Sequence, residues 1–272
     1  MSRVFIALEN TASAFGLKGG NSKNVPAKEK KPGWKVAEQK KAQAYEDRKA
    51  LADRLGFDYK KDDTEGRQEK NIRFIVQQLA NQRGHSYGIA GSLPSLFKRL
   101  SFDANRKGQS FDTVVFLGHG HSGVMTVGLG RFPLAEQDEK LLNAQKRMIN
   151  VSDPNKALWT ETFHENREAL NLGGVLHILF LGCKTAEQSS LSYKTLPKVV
   201  ASALSQKLQC DVICYGTDQE IVNEEIVVAI GNIKKITDAA SGGGLHGSIG
   251  LAEYDDELES ITNLDWHRVN HV

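Results

Sequence analysis

VVFLGHGHSG (residues 114–123) and LHILFLGCKTAE (residues 176–187) are the stretches on which the reading of this chain turns. Each begins as an apolar run of strand length and stops at a glycine. Just past that glycine stands a side chain capable of chemistry, His119 in the first stretch and Cys183 in the second. Runs that are apolar throughout, without alternation, belong to strands buried on both faces. Such strands occur in largely parallel sheets with helices on both sides, where ligands bind at the C-terminal ends of the strands. His119 and Cys183 both fall at that edge.

The rest of the chain is read outward from these two runs. Val4 to Leu8 (VFIAL), Thr113 to Leu117, Val175 to Leu181 and Asp211 to Tyr215 are expected to be buried strands, with a short edge strand from Phe57 to Lys60. Apolar residues at helical spacing predict helices over Trp34–Leu55, Asn71–Gln82, Leu93–Leu100, Leu134–Met148, Thr160–Leu170 and Lys198–Leu208. VMTVGLGRF after Gly123 reads as a short hairpin. Val222 to Ile236 fits a strand or a helix equally well, and SGGGLHGSIG (241–250) reads as a glycine-rich loop. These elements predict one α/β domain over residues 1–272. It carries a long, flexible, basic loop at 9–33 and a C-terminal extension at 237–272 to which the pattern assigns no structure.

Bulk properties narrow the function. A chain of 272 residues with 40% hydrophobic content can bury a sizeable core. A formal charge of +2 argues against binding driven by nucleic-acid phosphates. The three cysteines, Cys183, Cys210 and Cys214, are too few and too clustered for a disulfide framework, which fits a reducing compartment. The apolar run near the N-terminus is too short for a secretory signal, and no later run approaches the ~18 residues of a membrane span. A cytoplasmic protein without membrane or nucleic-acid partners is expected.

A free thiol has a pKa of about 8.5, so a nucleophilic cysteine needs a base or a positive neighbour. A histidine on an adjacent strand end can supply it. Glycines beside the reactive groups let the backbone approach a substrate, and the N–H groups of Gly120 and of Cys183 itself are the natural donors to an oxyanion. Taken singly, a cysteine or a histidine at a strand end decides nothing; paired on successive main strands, the two point to nucleophilic catalysis. GHGHSG lacks the Gly-x-Ser-x-Gly of a serine hydrolase, and SGGGLHGSIG lacks the strand, helix and lysine of a phosphate loop. His177 lies within a strand and reads as a core histidine.

At this point the sequence resembles the caspase-like cysteine peptidases, which include caspases, metacaspases, separases, clostripain-like enzymes, CHAT-domain proteases and self-processing toxin domains. These share an apolar strand ending in His-Gly, here VVFLGHG, and a later apolar strand ending in the catalytic cysteine, here ILFLGC. The form LGCKT is closest to the separase, CHAT and toxin-domain branches and lacks the caspase pentapeptide. The opening VFIALEN, the helix EDRKALADRLGF and the strand VICYGTDQEI at 212–221 extend the resemblance to about residue 235. It implies a three-layer α/β/α sandwich with a mostly parallel central sheet, and a Cys183–His119 dyad. The family uses the histidine followed by glycine, which selects His119 over His121.

The resemblance also implies a specificity. Family members that cut after Arg or Lys line their pocket with acids, and the matching strand here carries Asp218, with Glu220 as a second candidate and no arginine. Cleavage after Arg, with Lys second, is expected. The expected partners are protein substrates and an upstream activating protease or regulator. The basic stretches at 18–41 and around Arg131 to Arg147 are candidate cleavage sites for leaving an inactive state. No dedicated ligand motif is present, so no cofactor or metal is expected. A bacterial stress or defence role follows from the resemblance alone. The competing expectation is a catalytically silent scaffold or adaptor on the same sheet.

Overall fold

The structure, a computed structural model, describes residues 3–9, 68–127, 148–151, 157–189, 194–221, 223–234, 236–237, 248–250 and 265–271, with positions 46, 49, 50 and 53. The expected edge strand Phe57–Lys60, nearly all of the expected helix Trp34–Leu55, residues 10–33 of the expected basic loop and all of Leu134–Met148 but Met148 itself lie outside the described residues.

Four wholly apolar or nearly apolar runs form the centre of one sheet. They are β1 (Val4–Glu9), β3 (Thr113–Leu117), β7 (Leu176–Leu181) and β8 (Val212–Thr217), and every residue in them is buried. The strand order is β2-β1-β3-β7-β8-β10-β9, with β2 at Ser86–Ala90, β9 at Ser248–Gly250 and β10 at Asp265–His271. The five strands from β2 to β8 are parallel, whereas β10 joins β8, and β9 joins β10, in antiparallel pairs. The fold is therefore α/β with a mostly parallel sheet.

Burial on both faces requires a cover on each. Alternate residues of the strands enter two separate cores, so that Ile6, Val115 and Leu179 face one way while Phe5, Val114 and Ile178 face the other. Helices α1 (Gln68–Gln82) and α5 (Asn223–Gly231) cover the first face through Ile75, Leu79, Val227 and Ile230. Helices α2 (Leu93–Lys107), α3 (Leu158–Glu165) and α4 (Leu196–Leu208) cover the second. Aromatic rings pin that second layer: Phe116 stacks on its cross-strand partner Phe180 at 5.8 Å, and Phe97 meets Phe163 edge-on at 4.6 Å.

Helix α2 is longer than expected because its ends are strongly marked. Ser92 caps its start by accepting the Ser95 N–H, and Gly108 ends it in the left-handed conformation at φ 61°. Several expectations are corrected. The hairpin starts at Gly120, in β4 (Gly120–His121) paired with β5 (Val124–Thr126), and β6 (Met148–Asn150) adds a third strand. Met148 is thus a strand residue rather than a helix end, because it pairs with Thr126. The expected helix at Thr160–Leu170 breaks at Asn166 into α3 and a short 3₁₀ turn. Val222–Ile236 resolves as helical over Asn223–Gly231. The end of the expected glycine-rich loop, Ser248–Gly250, is a strand, and the C-terminal extension supplies two strands of the main sheet.

Candidate active site

The neighbours β3 and β7 run parallel with Leu117 opposite Leu181, so the segments leaving them emerge side by side at the C-terminal edge of the sheet. The first carries Gly118, His119 and Gly120, the second Gly182 and Cys183. Their glycines are what let the two main chains meet. A methyl group on Gly182 would lie 2.9 Å from both the Gly118 oxygen and the Gly120 nitrogen. One on Gly120 would press on the Cys183 carbonyl oxygen and lie 2.6 Å from the Gly182 carbonyl carbon. Any side chain at these positions would drive the turns apart. The fold thus sets Gly118 and Gly120, on either side of His119, against Gly182 and the main chain of Cys183.

His119 is half-buried and its main chain is tied on both sides. Its N–H donates to Glu9 Oε2 at 2.7 Å, and its carbonyl accepts the Thr126 N–H at 2.8 Å. His121 lies on β4 opposite Val124 and is exposed. His177 is buried within β7, where its Nδ1 lies 3.0 Å from the Tyr215 hydroxyl, as expected of a core histidine.

Cys183 is half-buried and its turn is fastened to the opposite neighbour, β8. The Ile221 N–H points at the thiol sulfur at 3.4 Å, and the Ile221 carbonyl lies 3.9 Å from it. Lys184 takes the left-handed conformation at φ 57° and donates its N–H to the Gln219 carbonyl at 2.8 Å. The Ala186 N–H reaches the Thr217 carbonyl at 2.8 Å, and the buried Thr185 hydroxyl accepts the Thr217 N–H at 3.3 Å. Ser122, just after β4, donates to Glu187 and so joins the two turns through side chains.

Asp218 and Glu220 both lie on the segment after β8, where they alternate with Gln219 and Ile221, whose main chains hold the Cys183 turn. Both acids are exposed. Burial, then the Asp211 carboxylate, pushes the Cys210 thiol up, and full burial pushes Cys214 well above its ordinary range. Both shifts disfavour the thiolate at those two positions. Among the described residues no group of His, Cys, Asp and Glu side chains is placed to hold a metal ion.

Glu9, Thr126 and Glu187 escaped the sequence reading. Glu9 falls at the boundary of the expected 9–33 loop, yet it is the last residue of β1. The available signal was an acid closing a wholly apolar run at the same sheet edge as His119 and Cys183. Among the described residues no helix is long and apolar enough to cross a membrane. No protein-family model, curated protein or solved structure matches the chain.

Proposed function

We propose that the chain is a cysteine endopeptidase on the caspase-like form of the α/β sandwich, with Cys183 as nucleophile and His119 as general base and acid. One observation carries the reading. The main chains bearing these residues touch at the C-terminal edge of adjacent parallel strands, where open α/β sheets take their ligands. The free thiol there already receives a main-chain N–H, from Ile221, two residues before α5 begins.

In the reaction His119 takes the thiol proton and the Cys183 sulfur bonds to the scissile carbonyl carbon. The N–H groups of Gly120 and Cys183 take the oxyanion. The C–N bond breaks as the imidazolium returns its proton to the leaving amine. Water, deprotonated by His119, then cleaves the thioester and restores the thiol. Glu187, Asp218 and Glu220 flank the Cys183 turn, and a carboxylate pairs with an arginine fork through two charge-assisted hydrogen bonds. Cleavage after Arg, with Lys second, is the specificity this supports, in an enzyme held inactive until a cut or a regulator releases it.

The test is a panel of fluorogenic peptides ending in Arg, Lys or Asp, with wild type beside Cys183→Ala and His119→Ala. Arg cleavage should be lost in the first variant and fall by about 10²–10⁴-fold in the second. Preferential cleavage after Asp would overturn the acidic pocket. Silence toward every peptide, together with no labelling of Cys183 by an Arg-directed thiol-reactive probe, would assign the chain to the scaffold reading.

A further inference from the structure

The first strand is apolar from Val4 to Leu8, and Glu9 follows it into the interior with 2% of its surface exposed. Burying a carboxyl group costs several kcal/mol, roughly, unless hydrogen bonds replace its water. Here they come from the turn that carries the histidine. Glu9 Oε2 accepts the His119 main-chain N–H at 2.7 Å, and Oε1 lies 3.2 Å from the Thr126 hydroxyl. That hydroxyl is shared with the His119 carbonyl oxygen, 2.9 Å away. The carboxyl group and Thr126 therefore hold the main chain of His119 at its N–H and at its C=O. Gly118 completes the arrangement, since a methyl group there would lie 2.5 Å from Glu9 Oε2 and 2.8 Å from Glu9 Cβ. The first glycine of Gly-His-Gly makes room for Glu9, and the second makes room for the Cys183 turn.

We propose that Glu9 is a positioning residue: it anchors the His119 turn to β1 and so sets where the imidazole stands relative to Cys183. The proposal rests on the reading of His119 as the base for Cys183. It makes a chemical distinction between hydrogen bonding and charge. In Glu9→Gln the amide oxygen can take the His119 N–H while the amide NH₂ donates to the Thr126 oxygen, which keeps its own proton for the His119 carbonyl. Glu9→Gln should therefore preserve the anchor, and Glu9→Ala should remove it.

The experiment uses the full chain and two readouts. One is alkylation of Cys183 by iodoacetamide as a function of pH, followed by mass spectrometry, which needs no substrate. The other is turnover of an Arg peptide. With the folded state of each variant checked by circular dichroism, Glu9→Ala should give the alkylation profile of His119→Ala. It should lower kcat about 100-fold with KM little changed, the scale of a misplaced catalytic group. Glu9→Gln should recover most of both. Thr126→Val should lower kcat about tenfold, and it carries the test if Glu9→Ala does not fold. A changed profile for His119→Ala beside a wild-type profile for Glu9→Ala overturns the positioning role alone, as does full turnover in Thr126→Val. A wild-type profile for His119→Ala overturns the dyad reading and this proposal with it. A Glu9→Gln variant as impaired as Glu9→Ala overturns hydrogen bonding as the means.

Discussion

The two turns at the candidate site meet each other but are moored in opposite directions. The His119 turn is tied back across β3 to β1, through the Glu9 carboxyl group and Thr126. The Cys183 turn is tied to β8 and the segment after it, through the Ala186 N–H on Thr217, the Lys184 N–H on Gln219 and the Ile221 N–H on the Cys183 sulfur. One mooring is a buried side chain, the other mostly backbone. A substitution can therefore release the first, whereas the second yields chiefly to changes in backbone conformation. What joins the two is close approach at glycines, reinforced at the rim by Ser122 and Glu187.

The largest effect expected is at the contact between the turns. Gly120→Ala places a methyl group against the Cys183 carbonyl, and activity should fall by about 100-fold or more while the far-UV circular dichroism is kept. Gly174→Ala, at the opposite edge of the same sheet, meets nothing nearer than Asn171 Nδ2 at 3.9 Å and should leave peptide turnover unchanged. Unchanged turnover in Gly120→Ala as well would mean that the turns do not touch in solution.

A smaller effect lies away from both turns and keeps their pH dependence legible. His85 precedes β2 at the N-terminal edge of the sheet. Burial first, then Arg83 and Lys107, lowers its pKa from 6.5 to about 4. Between these values the unfolded chain takes up a proton that the folded chain refuses. The contribution of His85 to stability is therefore complete above about pH 6.5 and is lost as the pH falls toward 4, by roughly 2–3 kcal/mol. Urea midpoints for wild type should drop across that interval, and His85→Gln should flatten the change. An unchanged slope in the variant would place the acid sensitivity elsewhere.

The smallest effect sharpens the backbone mooring of Cys183. Lys184 sits at φ 57°, which costs about 1 kcal/mol for a residue with a Cβ and more for a β-branched one. Lys184→Gly should change stability by less than about 1 kcal/mol, since relieved strain offsets the greater freedom of the unfolded chain, whereas Lys184→Val should lose 1–2 kcal/mol, roughly. Equal urea midpoints for the two variants would remove the left-handed turn from the account.

What was legible in the sequence follows from the same physics. The strands β1, β3, β7 and β8 announce themselves because a strand buried on both faces is apolar at every position. The strand β2, SYGIA, is a sheet-edge strand in the described order with a glycine at its centre, and β10, DWHRVNH, is largely polar. Neither carries a period that distinguishes it from loop. That His119 and Cys183 fall at one sheet edge was legible because they recur as a pair, each just past the glycine that ends a wholly buried strand. Glu9 was not, because an acid after an apolar run reads as the start of a loop. Its partner stands 110 positions away, and only parallel pairing of β1 with β3 brings them together.

That separation sets an order in time. A ribosome adding about 5–20 residues per second releases Glu9 first, and His119 some seconds later. The turn that carries His119 therefore has Glu9 waiting when it leaves the exit tunnel. Cys183 follows, and its own fastenings at Gln219 and Ile221 come later still. A nascent chain thus carries its thiol before it has the means to hold it.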